Sequence, residues 1–186
     1  MDQEIETTLQ ILRKGGVILY PTDTVWGLGC DATNAEAVSR IYKIKQRDDS
    51  KSMLVLLDTE EKLNHYVETV PEIAYDLLEM SDKPLTVIYD NAVNLAKNIV
   101  AADGSIGIRV VKDPFCKKLI WKLKRPLVST SANISGRTSP AIFSEISDEI
   151  KNAVDYIVNW RQNDNIKAAP SGIIKLGPKG EVKVIR

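Results

Sequence analysis

The sequence is poor in the side chains that most enzymes use for covalent or metal chemistry. It has one histidine, His65, and two cysteines, Cys30 and Cys116. His65 lies in a stretch that reads as surface helix, with no partner patterned around it, so a Ser-His-Asp triad has no support. The cysteines are far apart and outside any C-x-x-C spacing, which predicts free thiols in a reducing compartment rather than a disulfide or a metal pair. No group of His, Cys, Asp and Glu has metal-ligand spacing. An excess of one charge is also missing. Lys plus Arg equals Asp plus Glu at 25 each, so no global field draws in nucleic acid, although a local basic patch stays open. No run approaches the roughly 18 apolar residues of a membrane-spanning helix. The start, Met1-Asp2-Gln3-Glu4, is acidic and unlike a secretory signal, so a cytoplasmic chain with no membrane partner is expected. Neither a GxxxxGK[ST] loop nor a GxGxxG turn occurs. Trp26, Trp121 and Trp160 are too dispersed for a ladder that stacks single-stranded nucleic acid, and Trp121 is assigned to the core.

What the chain does have is an ordinary globular composition, 44% hydrophobic and 27% charged over 186 residues. That length buries a real core, and a single domain over 1–186 is the simplest count. Ile5, Leu9 and Leu12 mark a short amphipathic helix that stops at Gly15-Gly16. Val17 to Tyr20 reads as a buried strand. Asn34 resembles an N-cap for a helix carrying Ala37, Val38, Ile41 and Ile44. Further strands are predicted at 53–57, 85–89, 106–111, 127–128 and 156–158, with helices at 59–67, 71–80, 114–123, 142–146 and 148–153. The chain closes on a hairpin, 172–176 and 182–185, about a Gly177-Pro178-Lys179-Gly180 turn. Alternating strands and helices ending in a hairpin predict an α/β fold with a mixed sheet and helical cover. Residues 159–170 form the least regular stretch, a polar loop.

Two polar stretches stand at the ends of apolar strands, where a core would want apolar residues. One is Pro21-Thr22-Asp23-Thr24-Val25-Trp26-Gly27-Leu28-Gly29; the other is Ser129-Thr130-Ser131-Ala132-Asn133. Strand ends hold side chains more firmly than long loops do, which suits a site that must place several hydrogen bonds at once. A cap role for Asn133 is the plain alternative, yet three hydroxyls and an amide in five residues exceed what a cap needs. Trp26 reads as a wall for a ligand's apolar part. Lys45 and Arg47 stand two apart where the helical pattern fails, with Lys51 shortly after. Residues two apart in an extended segment project the same way, so both cations can meet one polyanion; a solvated charged face is the other reading. Arg109 interrupts an apolar strand and needs either a ligand or an ion-pair partner.

With these blocks, together with Ser105-Ile106-Gly107-Ile108-Arg109 and the Ile134-Ser135-Gly136 continuation of the second polar stretch, the chain resembles the YrdC/Sua5 family in its short, TsaC-like form. Its members are threonylcarbamoyl-AMP synthases. The resemblance runs over residues 5–176. It implies an open, twisted mixed sheet with helices that form a concave, positively charged groove, and no C-terminal Sua5 domain. It implies an enzyme that makes L-threonylcarbamoyladenylate and pyrophosphate from ATP, L-threonine and bicarbonate or CO2, for the t6A37 modification of tRNA. The product would pass to a separate tRNA threonylcarbamoyl transferase complex, with weak RNA binding as a further expectation.

By resemblance, Lys45 and Arg47 are the catalytic pair. Thr22, Thr24, Trp26 and Arg47 hold threonine. Lys45, Arg47, Lys51, Arg109, Ser129, Ser131, Asn133 and Ser171 hold the nucleotide, with Mg2+ carried mainly on the ATP phosphates. The chain also departs from the pattern. Asp48 stands where proline is common, Lys83-Pro84-Leu85-Thr86 keeps only the Pro and Thr of the family's middle block, and Gly172 replaces the second late hydroxyl. The rival reading is a double-stranded RNA or tRNA-binding module without catalysis.

Overall fold

The computed structural model describes residues 1–47 and 53–186. Helix α1 (Asp2–Arg13) buries Ile5, Thr8, Leu9 and Leu12 along one stripe. Helix α2 (Ala35–Lys45) begins at Asn34, whose side chain accepts from the Glu36 and Ala37 amides, and stops where Gln46 turns left-handed at φ 48°. Helix α5 (Pro114–Leu123) has Pro114 in its first turn and Asp113 as cap, accepting from the Cys116 amide. Proline costs nothing there because that turn's N–H groups have no intrahelical acceptor. Shorter helices are α3 (Leu63–Tyr66), α4 (Ile73–Glu79) and α6 (Asp148–Ala153). Among the described residues no helix is long and apolar enough to cross a membrane.

The strands are β1 (Ile18–Tyr20), β2 (Gly27–Gly29), β3 (Leu54–Leu57), β4 (Leu85–Tyr89), β5 (Ile106–Val110), β6 (Leu127–Ser131), β7 (Tyr156–Ile157), β8 (Gly172–Leu176) and β9 (Val182–Val184). They form one mixed sheet in the order β7-β1-β2-β6-β3-β5-β4-β8-β9. The pairs β1/β7, β3/β5 and β4/β8 are parallel; β1/β2, β2/β6, β3/β6, β4/β5 and β8/β9 are antiparallel. This is the mixed α/β sheet that the alternation of elements predicts, and the closing hairpin is present as β8/β9.

Period-two alternation divides the strands between two faces. Val17, Leu19, Leu28, Val55, Leu57, Val87, Ile106, Ile108 and Val128 pack against the stripe of α2 and against Ile150 of α6. Ile18, Tyr20, Leu56 and Leu127 point the other way, under Leu9 and Leu12 of α1 and Phe115, Leu119 and Ile120 of α5. Gly29 stands next to Tyr20, where a β-carbon would come within 2.5 Å of the ring. Without it the ring can lie flat on β2 and donate its hydroxyl to the Val128 carbonyl at 3.0 Å.

Some elements differ from the sequence reading. The first polar stretch contains a strand, β2, because Gly27 to Gly29 pair with β1, and Gly27 and Leu28 also pair with β6. The second is itself strand: Ser129 pairs with Leu54, and Thr130 and Ser131 pair with Leu28 and Gly27. The helix expected over 59–67 is a 3-10 turn followed by the four residues of α3. Trp121 is not core but 62% exposed. The inner stripe of α5 is already filled by Phe115, Cys116, Leu119, Ile120 and Leu123, and position 121 lies on the opposite side.

Candidate active site

Helices α1 and α5 cover only part of their face of the sheet. In the uncovered part the same alternation presents Gly27, Leu54, Thr86, Ile88, Gly107, Arg109, Ser129, Ser131 and Ile173 to a cavity of about 370 Å³. The floor is shallow-walled because small residues alternate there: a β-carbon on Gly107 would press to 3.3 Å from the Thr86 methyl. Thr24, Val25, Arg47, Met53, Ser105, Thr130, Ser139, Pro170, Ser171 and Arg186 complete the lining. Hydroxyls and three guanidinium groups therefore meet over an aliphatic floor.

Arg109 is 2% exposed. It donates from Nη1 to Thr24 Oγ1 at 3.1 Å and pairs through Nη2 with Asp23 Oδ1 at 3.2 Å. Its buried Nε has no hydrogen-bond partner. Thr22 Oγ1 donates to the Val25 carbonyl at 2.8 Å and lies 2.9 Å from Thr24 Oγ1. A hydroxyl has one proton, so Thr24 donates to Thr22 and keeps its lone pair for Arg109. The turn is tethered from outside by Cys116, whose Sγ donates to the Pro21 carbonyl, and by Arg161, which donates to the Thr22 carbonyl.

Lys45 does not reach the cavity. It is 1% exposed, and its Nζ donates to the Ser131 carbonyl at 2.5 Å and the Asn133 carbonyl at 2.8 Å. Its own carbonyl accepts from the Ser135 amide at 2.8 Å. Burial, reinforced by the charge of Arg47, lowers the Lys45 ammonium to about 8. The expectation that Lys45 and Arg47 turn both charges to one ligand is thus not met here. The reason is the left-handed Gln46 between them, which breaks the period of two. Arg47 lines the cavity; Lys45 sits behind the wall and holds it in shape.

The remaining expected residues divide similarly. Thr24, Arg109, Ser129, Ser131 and Ser171 line the cavity. Thr22, 3% exposed, orders Thr24 from below. Asn133 spends its Nδ2 on the Ile134 and Arg137 carbonyls, shaping the turn after β6. Trp26 is 5% exposed and packs on Phe143 with ring centroids 4.8 Å apart, on the other face of the sheet from the cavity. Lys51 lies outside the described residues. Arg186 went unnoticed in the sequence, where nothing distinguishes an arginine following the Val182/Val184 alternation, and Ser105 was named only as the first residue of the block that ends at Arg109. Thr86, noted only as part of the altered middle block, shares a 2.8 Å hydrogen bond with Ser171. Among the described residues no three His, Cys, Asp or Glu side chains are placed to hold a metal ion. Asp23, beside the cavity, is engaged by Arg109 at 3.2 Å, so among the described residues no carboxylate set fits a resident metal.

The family model for Sua5, YciO and YrdC, described as "Telomere recombination", matches residues 10–186. The threonylcarbamoyl-AMP synthase of Pseudoalteromonas translucida is 34% identical over 181 residues, covering 93% of this chain and 97% of its own. Among solved structures, E. coli YciO has a TM-score of 0.86 at 27% identity, covering all of this chain and 89% of that one. P. abyssi Sua5 complexed with L-threonine has a TM-score of 0.80 at 25% identity over 92% of this chain. This chain spans half the length of that protein, 50%. The cavity on the uncovered face of the sheet, the open mixed sheet and these matches agree: the chain belongs to the Sua5/YciO/YrdC family.

Proposed function

We propose that the protein, read as one domain of this family, converts ATP, L-threonine and bicarbonate or CO2 into L-threonylcarbamoyladenylate and pyrophosphate, for t6A formation in tRNA. The observation that carries this reading is the meeting of Arg47 and Arg109, far apart in sequence, over one hydroxyl-lined cavity. In the reaction, threonine's amine nitrogen adds to CO2 and loses a proton, giving a carbamate. A carbamate oxygen then attacks the α-phosphorus of ATP, the bond to the β-phosphate oxygen breaks, and pyrophosphate leaves. Both reactants are anions that repel one another in water. Fixed cations and hydroxyl donors in a walled cavity offset that repulsion and align the attack, so positioning and electrostatics carry the catalysis.

Arg109, fixed by Thr24 and Asp23, faces threonine's carboxylate. Arg47 and Arg186 face the phosphates, with the Ser129 and Ser131 hydroxyls and with Ser171 at the far wall. Lys45 and Asn133 act one layer out by fixing the backbone that carries Ser131. Lys51 is assigned to the phosphates through the family pattern. Mg2+ is part of the MgATP substrate. A mixed carbamic–phosphoric anhydride is a reactive acyl donor, so its consumer is a separate acyl transferase acting on tRNA.

The test is to incubate the protein with MgATP, bicarbonate and single amino acids, and to follow pyrophosphate release and adenylate mass. Threonine-dependent adenylate is expected. Salt-sensitive RNA binding without any adenylate would replace this reading with the non-catalytic one.

A further inference from the structure

Arg161 has no part in the cavity wall, yet its backbone is left-handed at φ 58°. A side chain that is neither Gly nor Asn pays about 1 kcal/mol there, so surrounding contacts must hold it. Its Nε donates to Asp164 Oδ2 at 2.7 Å. Its Nη1 reaches both the Thr22 carbonyl and Asp113 Oδ2, each at 3.2 Å. Asp113 is a fixed anchor, since its other oxygen caps α5 through the Cys116 amide at 2.8 Å. The residues between β1 and β2 belong to no helix or strand, so side-chain tethers decide where Thr22, Asp23 and Thr24 stand. That same turn holds Arg109.

We infer that Arg161 is a positioning residue for adenylate formation. It clamps the Thr22 carbonyl to the start of α5 and thereby sets the spacing between Thr24 and Arg109 at the threonine end of the cavity. The inference rests on the function proposed above. A purely architectural role is the alternative, because the left-handed residue also seats Trp160 beside Phe115, with near-parallel rings 6.3 Å apart between centroids. Glycine separates the two. R161G keeps the left-handed backbone at no steric cost, so Trp160 stays in place, while the tether to Thr22 is lost. D113N weakens the clamp from the other side: an asparagine oxygen still caps α5, but its amide faces the guanidinium.

The experiment compares steady-state kinetics and melting temperature of the wild type, R161G and D113N. Expected for R161G are a threonine KM raised about tenfold, kcat within about twofold, an unchanged ATP KM and a melting temperature lower by a few degrees, because Asp113 and Asp164 lose their cation. D113N moves threonine KM the same way by about threefold. A threonine KM for R161G within about twofold of wild type, or a joint fall of kcat and melting temperature, overturns the inference. A wild type that makes no adenylate overturns the proposed function along with it, whereas an active wild type with an indifferent R161G removes Arg161 alone.

Discussion

Arg109 on β5 donates to Thr24 Oγ1 at 3.1 Å and pairs with Asp23 of the same turn at 3.2 Å, so one guanidinium joins the middle of the sheet to a turn near the N-terminus. This contact couples stability to activity. R109M leaves the Asp23 carboxylate, 12% exposed, without its cation, at a cost of about 3 kcal/mol, and abolishes adenylate formation. R109M/D23N recovers most of the melting temperature and none of the activity. Thermal denaturation beside a pyrophosphate-release assay checks both halves.

Ser129 and Ser131 offer hydroxyls to the cavity from the same side of β6. Replacing either with alanine removes one hydroxyl and little packing, and at Ser129 also its hydrogen bond with the buried Tyr20 hydroxyl. Each substitution lowers kcat/KM by about tenfold, which equals one net hydrogen bond to a charged group, and leaves the melting temperature within about 2 °C.

Lys45 titrates in a testable window. Its folded ammonium is lowered from 10.5 to about 8 by burial and by Arg47. Between those values the unfolded chain binds a proton that the folded chain has released, so this group makes stability rise with pH. Urea denaturation at several pH values therefore shows the wild type gaining on K45M from about pH 8 to about pH 10, with a steady difference below pH 7. A constant difference across the whole range contradicts the buried placement.

Trp26 packs on Phe143 rather than on the cavity. W26A loses about 3–5 kcal/mol of stability by leaving a hole in the core. W26F keeps threonine KM within about twofold of wild type. A selective rise in threonine KM for W26F would return this residue to the substrate wall.

The thiols of Cys30 and Cys116 are buried, and burial raises both well above the ordinary thiol range. The native protein therefore resists iodoacetamide at pH 8, and both cysteines react once it is unfolded. Mass spectrometry of the alkylated chain reads the count directly.

Much of the fold was legible because helix stripes and caps are local. Asn34 and Pro114 announce their helices, and Ile5, Leu9 and Leu12 announce theirs. The cavity was legible where a residue broke an apolar strand, as Arg109 does, or where hydroxyls crowded one strand, as at Ser129 and Ser131. Strand β2 was not, since a glycine pair flanking one leucine has little strand propensity and forms only between partners on both sides. The division of labour between Lys45 and Arg47 was equally hidden. It depends on the left-handed Gln46, and no local signal separates a cation that meets a ligand from one that ties down carbonyls. Arg161 is the sharpest case, because its contacts lie in segments far from it in sequence.

The pairing of β1 with β7, Ile18 against Tyr156, has a consequence for how the chain is made. Asp155 also accepts from the Val17 amide at 2.7 Å, so the first strand waits for a segment synthesised more than a hundred residues later. At the other side β4 waits for β8. Pro170, Ser171, Ile173 and Arg186 line the cavity from this late-emerging side, so a nascent polypeptide lacks a competent site until those residues are made. Such distant pairings slow folding toward the millisecond-to-second range, during which two bare strand edges stand open to chaperones.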